Sequence, residues 1–433
     1  ANRFEFNGDI EWFNHEIKWS LGYLDAEHGM DNYSLRHNMN DSMYRYNTAV
    51  AIGTNLKFHA SRMYEFGRLT YGVDGYWSEH DSTVTSPNVA MFNILNFNQV
   101  EDNRFGVFIE YDKTYDKGKW SLGLRLKHHE QDAGDVNHHM AMMNENIMML
   151  KNQFNQADKK DNKSLHDLAI NWQHELQESL QLSVGLGRKQ RAASYQALYL
   201  WLPMQSTGGL ADGRTYIGNI NLEPETANQL NLGLIWQNDR VQISPNLFYQ
   251  KIQDYIQAVP SNNMAANMVS NMMTGKMPLQ FANVEAELQG FDLDVKAQFS
   301  NNWSIDMIAT YVTGERTDIN DNLYRVSAAN LSMTANYQRN NWQVRLNWHL
   351  FAKQDKVSAI NEEKPTPGYG LVNLSGRVSW PKVQLHAGIR NLMDKTYTDH
   401  LAGTNRVTMS DIPAGNKLPG AGRDVYAALV YSF

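Results

Sequence analysis

Twenty methionines and fourteen histidines, with no cysteine, are the residues of this chain best suited to chemistry. Thioether sulfur is a soft donor that selects Cu(I), and imidazole also suits copper. They come in clusters. His28-Gly29-Met30 is followed by His37-Asn38-Met39 and then Met43. The stretch 138–149 carries His138, His139, Met140, Met142, Met143, Met148 and Met149, and 264–277 carries Met264, Met268, Met272, Met273 and Met277. In extended backbone, residues two apart point to the same side, so His28 and Met30 could reach one ion. Methionine is also a flexible gap-filler. Met264, Met268 and Met272 lie at helical spacing, so packing of a short helical loop is the stronger expectation there. For 138–149 both readings stand, because adjacent His138 and His139 add little to a packed core. The candidate ligands are therefore His28, Met30, His37, Met39, His138, His139 and Met140.

Other chemistries find less support. No nucleophile triad, phosphate-binding glycine loop or zinc helix motif appears, so catalysis is not the expectation. Glu362-Glu363 reads as solvated charge in a polar loop, and His128, His129 and His386 as ordinary polar residues of strands or rims. A formal charge of −7 argues against nucleic acid as a partner. The opening residues ANRFEFNGDIEWF show no secretory signal.

The elements that must carry these residues are strands. Trp342, Val344, Leu346, Trp348 and Leu350 alternate with Gln343, Arg345, Asn347 and His349, a period of two with one apolar and one polar face. The same alternation runs through Ile17–Tyr23, Leu69–Trp77, Phe105–Tyr111, Trp120–Leu126, Leu180–Leu186, Trp303–Tyr311, Val383–Ile389 and Val425–Phe433. Pro245 interrupts one series, removes a ladder donor and predicts a bulge. Mean hydropathy is −0.54, and no run of about 18 apolar residues exists, which leaves no transmembrane helix. Strands of about 10 residues with every second one apolar still span a bilayer. The 11 Trp, 21 Tyr and 16 Phe suit its interfacial girdles, though a soluble β-sandwich could also use them, and periodicity alone does not separate the two. Short polar turns such as Asn238-Asp239-Arg240 alternate with long polar stretches at 78–102, 131–164, 190–225 and 257–282, the outer-membrane pattern. The expected fold is all-β, an antiparallel transmembrane β-barrel with about 17 strands visible.

Several segments carry a family resemblance. Asn221-Leu222-Glu223-Pro224-Glu225-Thr226 precedes a strand; Tyr249-Gln250-Lys251-Ile252-Gln253-Asp254-Tyr255-Ile256 ends one. Asn283 to Phe291 follows, with Asp292 where the family has Glu, then Asn391-Leu392-Met393-Asp394-Lys395-Thr396-Tyr397 with Met393 in place of Phe. In this order across 190–433 they resemble the C-terminal barrel of TonB-dependent outer-membrane receptors. The terminal Tyr431-Ser432-Phe433 resembles the signal read by the barrel-assembly machinery. His28 to Arg36, reading H-G-M-D-N-Y-S-L-R, is similar to the metal-binding segment of the copper receptors of that family. Ser194 to Pro203 also resembles that subfamily.

The resemblance implies a bacterial outer-membrane receptor with lipid around it and TonB as its energising partner. It implies 1–433 as barrel, with the N-terminal plug and the first strands of a probable 22 missing. It implies copper, Cu(I) or Cu(II), as the ligand moved, with His28 and Met30 as ligands and a Cys and a Met contributed by the plug. The rival expectations are a ferric-siderophore receptor of the same fold, a passive porin, and a barrel enzyme with a Ser/His/Asp set at one rim.

Overall fold

The computed structural model describes residues 1–35, 40–204, 210–407 and 410–433. His37 and Met39 lie outside the described residues. Among the described residues twenty strands form a single sheet; three are two-residue bridges, and the remaining seventeen run from 8 to 23 residues. Each long strand pairs antiparallel with the next in sequence, from Asn2–Trp12 against His15–Asp31 to Val383–Arg390 against Asp424–Tyr431. The two-residue segment Tyr216–Ile217 departs from this by pairing parallel with Leu279 and Gln280. Among the described residues no ladder joins the first strand to the last. Among the described residues no helix is long and apolar enough to cross a membrane, which says nothing of crossing by strands.

The two rims differ as the sequence predicts. Along one rim, connections take two to four residues; along the other they take seven to thirty-three. The first short turn places Phe13 at φ 47° and Asn14 at φ 60°. Two left-handed residues in succession make a type I′ hairpin, whose twist matches that of the strands it joins. Trp12, Trp120, Trp172, Trp236, Trp303, Trp342 and Trp380 all lie beside this rim. Trp120 meets Trp172 at 5.9 Å, and Tyr337 lies 4.7 Å from Trp303 and 5.2 Å from Trp342. This is an aromatic girdle at one water–lipid boundary. Above it Leu122, Leu124 and Leu126 stay exposed on the outward face, while Ser121, Arg125 and Lys127 line the inside.

Two expectations need correction. Pro245 makes no bulge. It sits in register opposite Leu293, and only the ladder to the preceding strand skips it, because a missing N–H leaves a gap without adding a residue. The bulge lies nearer the long-loop rim between Ile252 and Tyr255, where Asp254 adopts φ 55°. The stretch 78–102 is not a long loop either. The strands Gly67–Thr85 and Asn93–Tyr115 carry the ladder through most of it, with 86–92 between them.

The largest apolar core sits in the long connections. α1 (Glu145–Gln156), α2 (Tyr195–Tyr199) and α3 (Met264–Thr274) pack there with Ile94, Val100, Val136, Trp201, Tyr216 and Leu279. Each such side chain contributes on the order of 1.5–3 kcal/mol by leaving water. Asparagine starts two of the helices: Asn144 accepts from Asn146 N and Ile147 N, and Asn263 accepts from Ala266 N. α3 stops at Gly275, in the left-handed region at φ 69°.

Candidate metal centre

His28 and Met30 lie at the long-loop end of the strand His15–Asp31. Trp19, Leu21 and Tyr23 hold its outward face, and strand alternation therefore turns His28 and Met30 inward. Both side chains are exposed. Their cross-strand neighbours are the small Ala49 and Asn47, which leaves the pair room to meet an ion. Gly29 between them faces the other way, where the Tyr46 hydroxyl fills the space a Cβ would need.

Beyond Met30 the chain is pinned by Asn32. Its Oδ1 accepts from Arg45 N at 2.9 Å, and its Nδ2 donates to Met43 O at 3.1 Å. Arg45 then begins a column of stacked groups. Its guanidinium lies 3.7 Å over the Phe92 ring, Phe92 lies 4.3 Å from His139, and His139 stacks on His138 at 4.6 Å. The fold thus joins the His138–His139 pair to the base of the hairpin that bears His28 and Met30.

His138 is 8 % exposed, and its Nδ1 accepts from Met140 N at 3.0 Å. That bond commits Nδ1, so only Nε2 remains for another partner. Burial, with the neighbouring His139 second, pushes the His138 pKa down to about 4. Burial chiefly, with Arg45 charge adding to it, lowers His139 as well, and its buried Nδ1 has no partner among the described residues. Both imidazoles are accordingly neutral at pH 7, the form that binds metals. Met140 is exposed beside them. Among the described residues, no three His, Cys, Asp or Glu side chains converge as a metal site; any soft site here needs thioethers.

The methionines of 264–277 overturn the packing expectation. α3 buries Ala265, Ala266, Val269 and Ser270, and it leaves Met264 81 %, Met268 60 % and Met272 64 % exposed. Small residues let α3 lie close to its neighbours, which turns the long side chains out. α1 does likewise, burying Ile147, Leu150 and Phe154 while exposing Met148 and Met149. Asn263 Nδ2 donates to Gln153 Oε1 at 3.3 Å and links the two helices. The result is a thioether-rich face on the long-loop side.

Other groups escaped the sequence reading. Glu363 is not solvated: its side chain is buried, accepts from Arg325 N and Ser358 N, and lies 3.1 Å from His400 Nε2. His400 Nδ1 meets Thr366 Oγ1 at 2.9 Å, so one imidazole ties two long loops together. His129 is likewise buried, 2.7 Å from Asp102. Nothing in a single sequence marks these partners, which come from separate loops and strands. The family motifs were visible, but their purpose was not. Asn283 accepts from Glu223 N at 2.9 Å, and it donates to Glu223 O at 2.9 Å and Asp254 O at 2.8 Å. Three motifs thus interlock around one amide, beside the bulge.

Comparison with known proteins adds the lineage. The family model described as TonB dependent receptor-like, beta-barrel matches residues 1–392. A comparison with curated protein sequences gives no match. Among solved structures, the copper transporter OprC superposes with a TM-score of 0.80 at 20 % identity, over all of this chain and 65 % of that one. The siderophore receptor PirA from Acinetobacter baumannii gives 0.64 at 17 %, over all of this chain and 62 % of that one. The ferric enterobactin receptor PfeA from Pseudomonas aeruginosa gives 0.68 at 17 %, over all of this chain and 61 % of that one. At these identities the likeness is one of fold, and the chain spans less than two thirds of each of these structures.

Proposed function

The chain belongs to the TonB-dependent receptor β-barrel family of the bacterial outer membrane, and from that premise we propose that it captures copper through His and Met side chains. One observation carries the reading. Soft donors stand free of packing on the long-loop side, with His28 and Met30 together on the inner face and the methionines of α1 and α3 turned out. A core-filling role would have buried them. Neutral His138 and His139, with Met140, supply a second pair of donor types on the same side. His37 and Met39 are proposed as further ligands on their sequence spacing alone. Thioether-rich sets favour Cu(I), and the imidazoles also accept Cu(II).

Membership of this receptor family supports a role in transport rather than catalysis. Passage of the ion would need a plug inside the barrel and TonB to energise it. A second reading, a ferric-siderophore receptor, draws support from the likeness to PirA and PfeA. Titration with Cu(I) against a chromophoric chelator separates the two. His28→Ala and Met30→Ala should each weaken the tightest site by roughly tenfold or more, within the range that lost ligand-shell groups cost. Unchanged Cu(I) affinity in both variants, with tight binding of a ferric chelate, would favour the siderophore reading.

A further inference from the structure

The outward face changes character at one height on three neighbouring strands, Leu180–Arg191, Glu225–Gln237 and Val241–Pro260. Leu186 lies opposite Leu230, and Leu230 opposite Tyr249, an apolar row across all three. The next outward row, two residues nearer the long loops, is Arg188 opposite Asn228 and Asn228 opposite Lys251. Arg188 Nη1 donates to Asn228 Oδ1 at 3.3 Å. That bond satisfies the amide oxygen and leaves the Asn228 Nδ2 hydrogens without a protein acceptor among the described residues. Arg188 makes no ion pair among the described residues, and Lys251 Nζ stands 3.9 Å from Glu287 Oε1, the outer limit of one. His166, exposed and next beyond Leu168 on the adjoining strand, flanks Arg188.

We propose that Arg188, Asn228 and Lys251 bind the phosphate of an anionic lipid headgroup in the outer leaflet. A guanidinium fork, an amide donor and an ammonium are the groups that take phosphate oxygens. Strand spacing sets Arg188 and Lys251 about 10 Å apart, with the amide between them. The choice of a lipid over a free anion follows from the vertical order. The donor row stands about 7 Å above the apolar row on the same face, so acyl chains lie on Leu186, Leu230 and Tyr249 while the phosphate meets the donors. The basic row ends at Lys251, because the next outward residues at that height are Glu287 opposite Lys251 and Glu315 opposite Glu287. On the strands Gly67–Thr85, Asn93–Tyr115 and Gly118–Asp132, the outward residues beyond the apolar band include Glu79 opposite Glu101 and Glu101 opposite Asp132, which repel phosphate. The proposal rests on the barrel lying in the outer membrane and is independent of the copper reading.

Native mass spectrometry of the full chain in detergent tests it, with phosphatidylglycerol, diacylglycerol and inorganic phosphate as separate probes. Phosphatidylglycerol should stay bound at concentrations on the order of tenfold lower for the native chain than for the Arg188→Gln/Lys251→Gln pair. Diacylglycerol should not distinguish the two. The charge-keeping Arg188→Lys/Lys251→Arg pair should retain most of the binding, which separates lost phosphate contacts from lost folding. Equal retention of phosphatidylglycerol by native chain and glutamine pair overturns the proposal. Displacement of the lipid by millimolar inorganic phosphate overturns the assignment to a headgroup.

Discussion

Acidification should open the loop cap around His138 well before it disturbs the barrel. In the closed cap the ring is buried, its Nδ1 accepts the Met140 amide, and its pKa is about 4 against 6.5 for the free side chain. A proton on Nδ1 would break that bond and place charge in an apolar setting. The opened loop therefore binds more protons than the closed one between pH 6.5 and pH 4. By linkage, stability of the closed cap is full above 6.5 and falls as pH drops through that window. The loss reaches about 3 kcal/mol near pH 4 if His138 acts alone. Because a cap opening locally has less to lose than the whole barrel, this is enough to raise amide exchange within 133–160 by on the order of a hundredfold. Hydrogen exchange at pH 7.5 and 4.5, corrected for intrinsic rates, reads it directly. His138→Asn keeps an acceptor near Nδ1 and cannot titrate, so it should flatten the dependence. An unchanged pH profile in that variant would refute the reasoning.

Three further expectations follow from the same structure. Replacing Met264, Met268 and Met272 together by Leu should leave circular dichroism unchanged, since Leu is at least as good a helix former and the positions are exposed; the number of Cu(I) or Ag(I) ions bound should fall. His400→Ala removes the imidazole from buried Glu363 and should cost on the order of 3 kcal/mol, seen as faster proteolysis within 352–368 and 391–423. Leu124→Arg places a charge on the lipid face and should cost roughly 2–4 kcal/mol, measured as a lower denaturant midpoint in lipid bilayers with the soluble-side loops unaffected.

Much of this protein is written locally. Alternation such as Trp342 to Leu350 fixes which residues face lipid, because a pleated strand sends successive side chains to opposite sides. Turn chemistry and connection lengths then separate the two rims, and the long strands among the described residues number seventeen, against about seventeen from the pattern. His28 and Met30 were legible as a same-face pair for the same reason. What lay beyond the sequence was everything that depends on segments distant along the chain. Periodicity alone put Met264, Met268 and Met272 on one side of a helix, but not which side would be covered; the small residues Ala265, Ala266 and Val269 won the interior because α3 docks closely there. Glu363 looked like loop charge until His400, from another loop, closed over it. Burial in the assembled loops, with His139 beside it, pushes the His138 pKa down to about 4. Burial and pairing are properties of the assembled loops, and there the tertiary structure alone decided the chemistry.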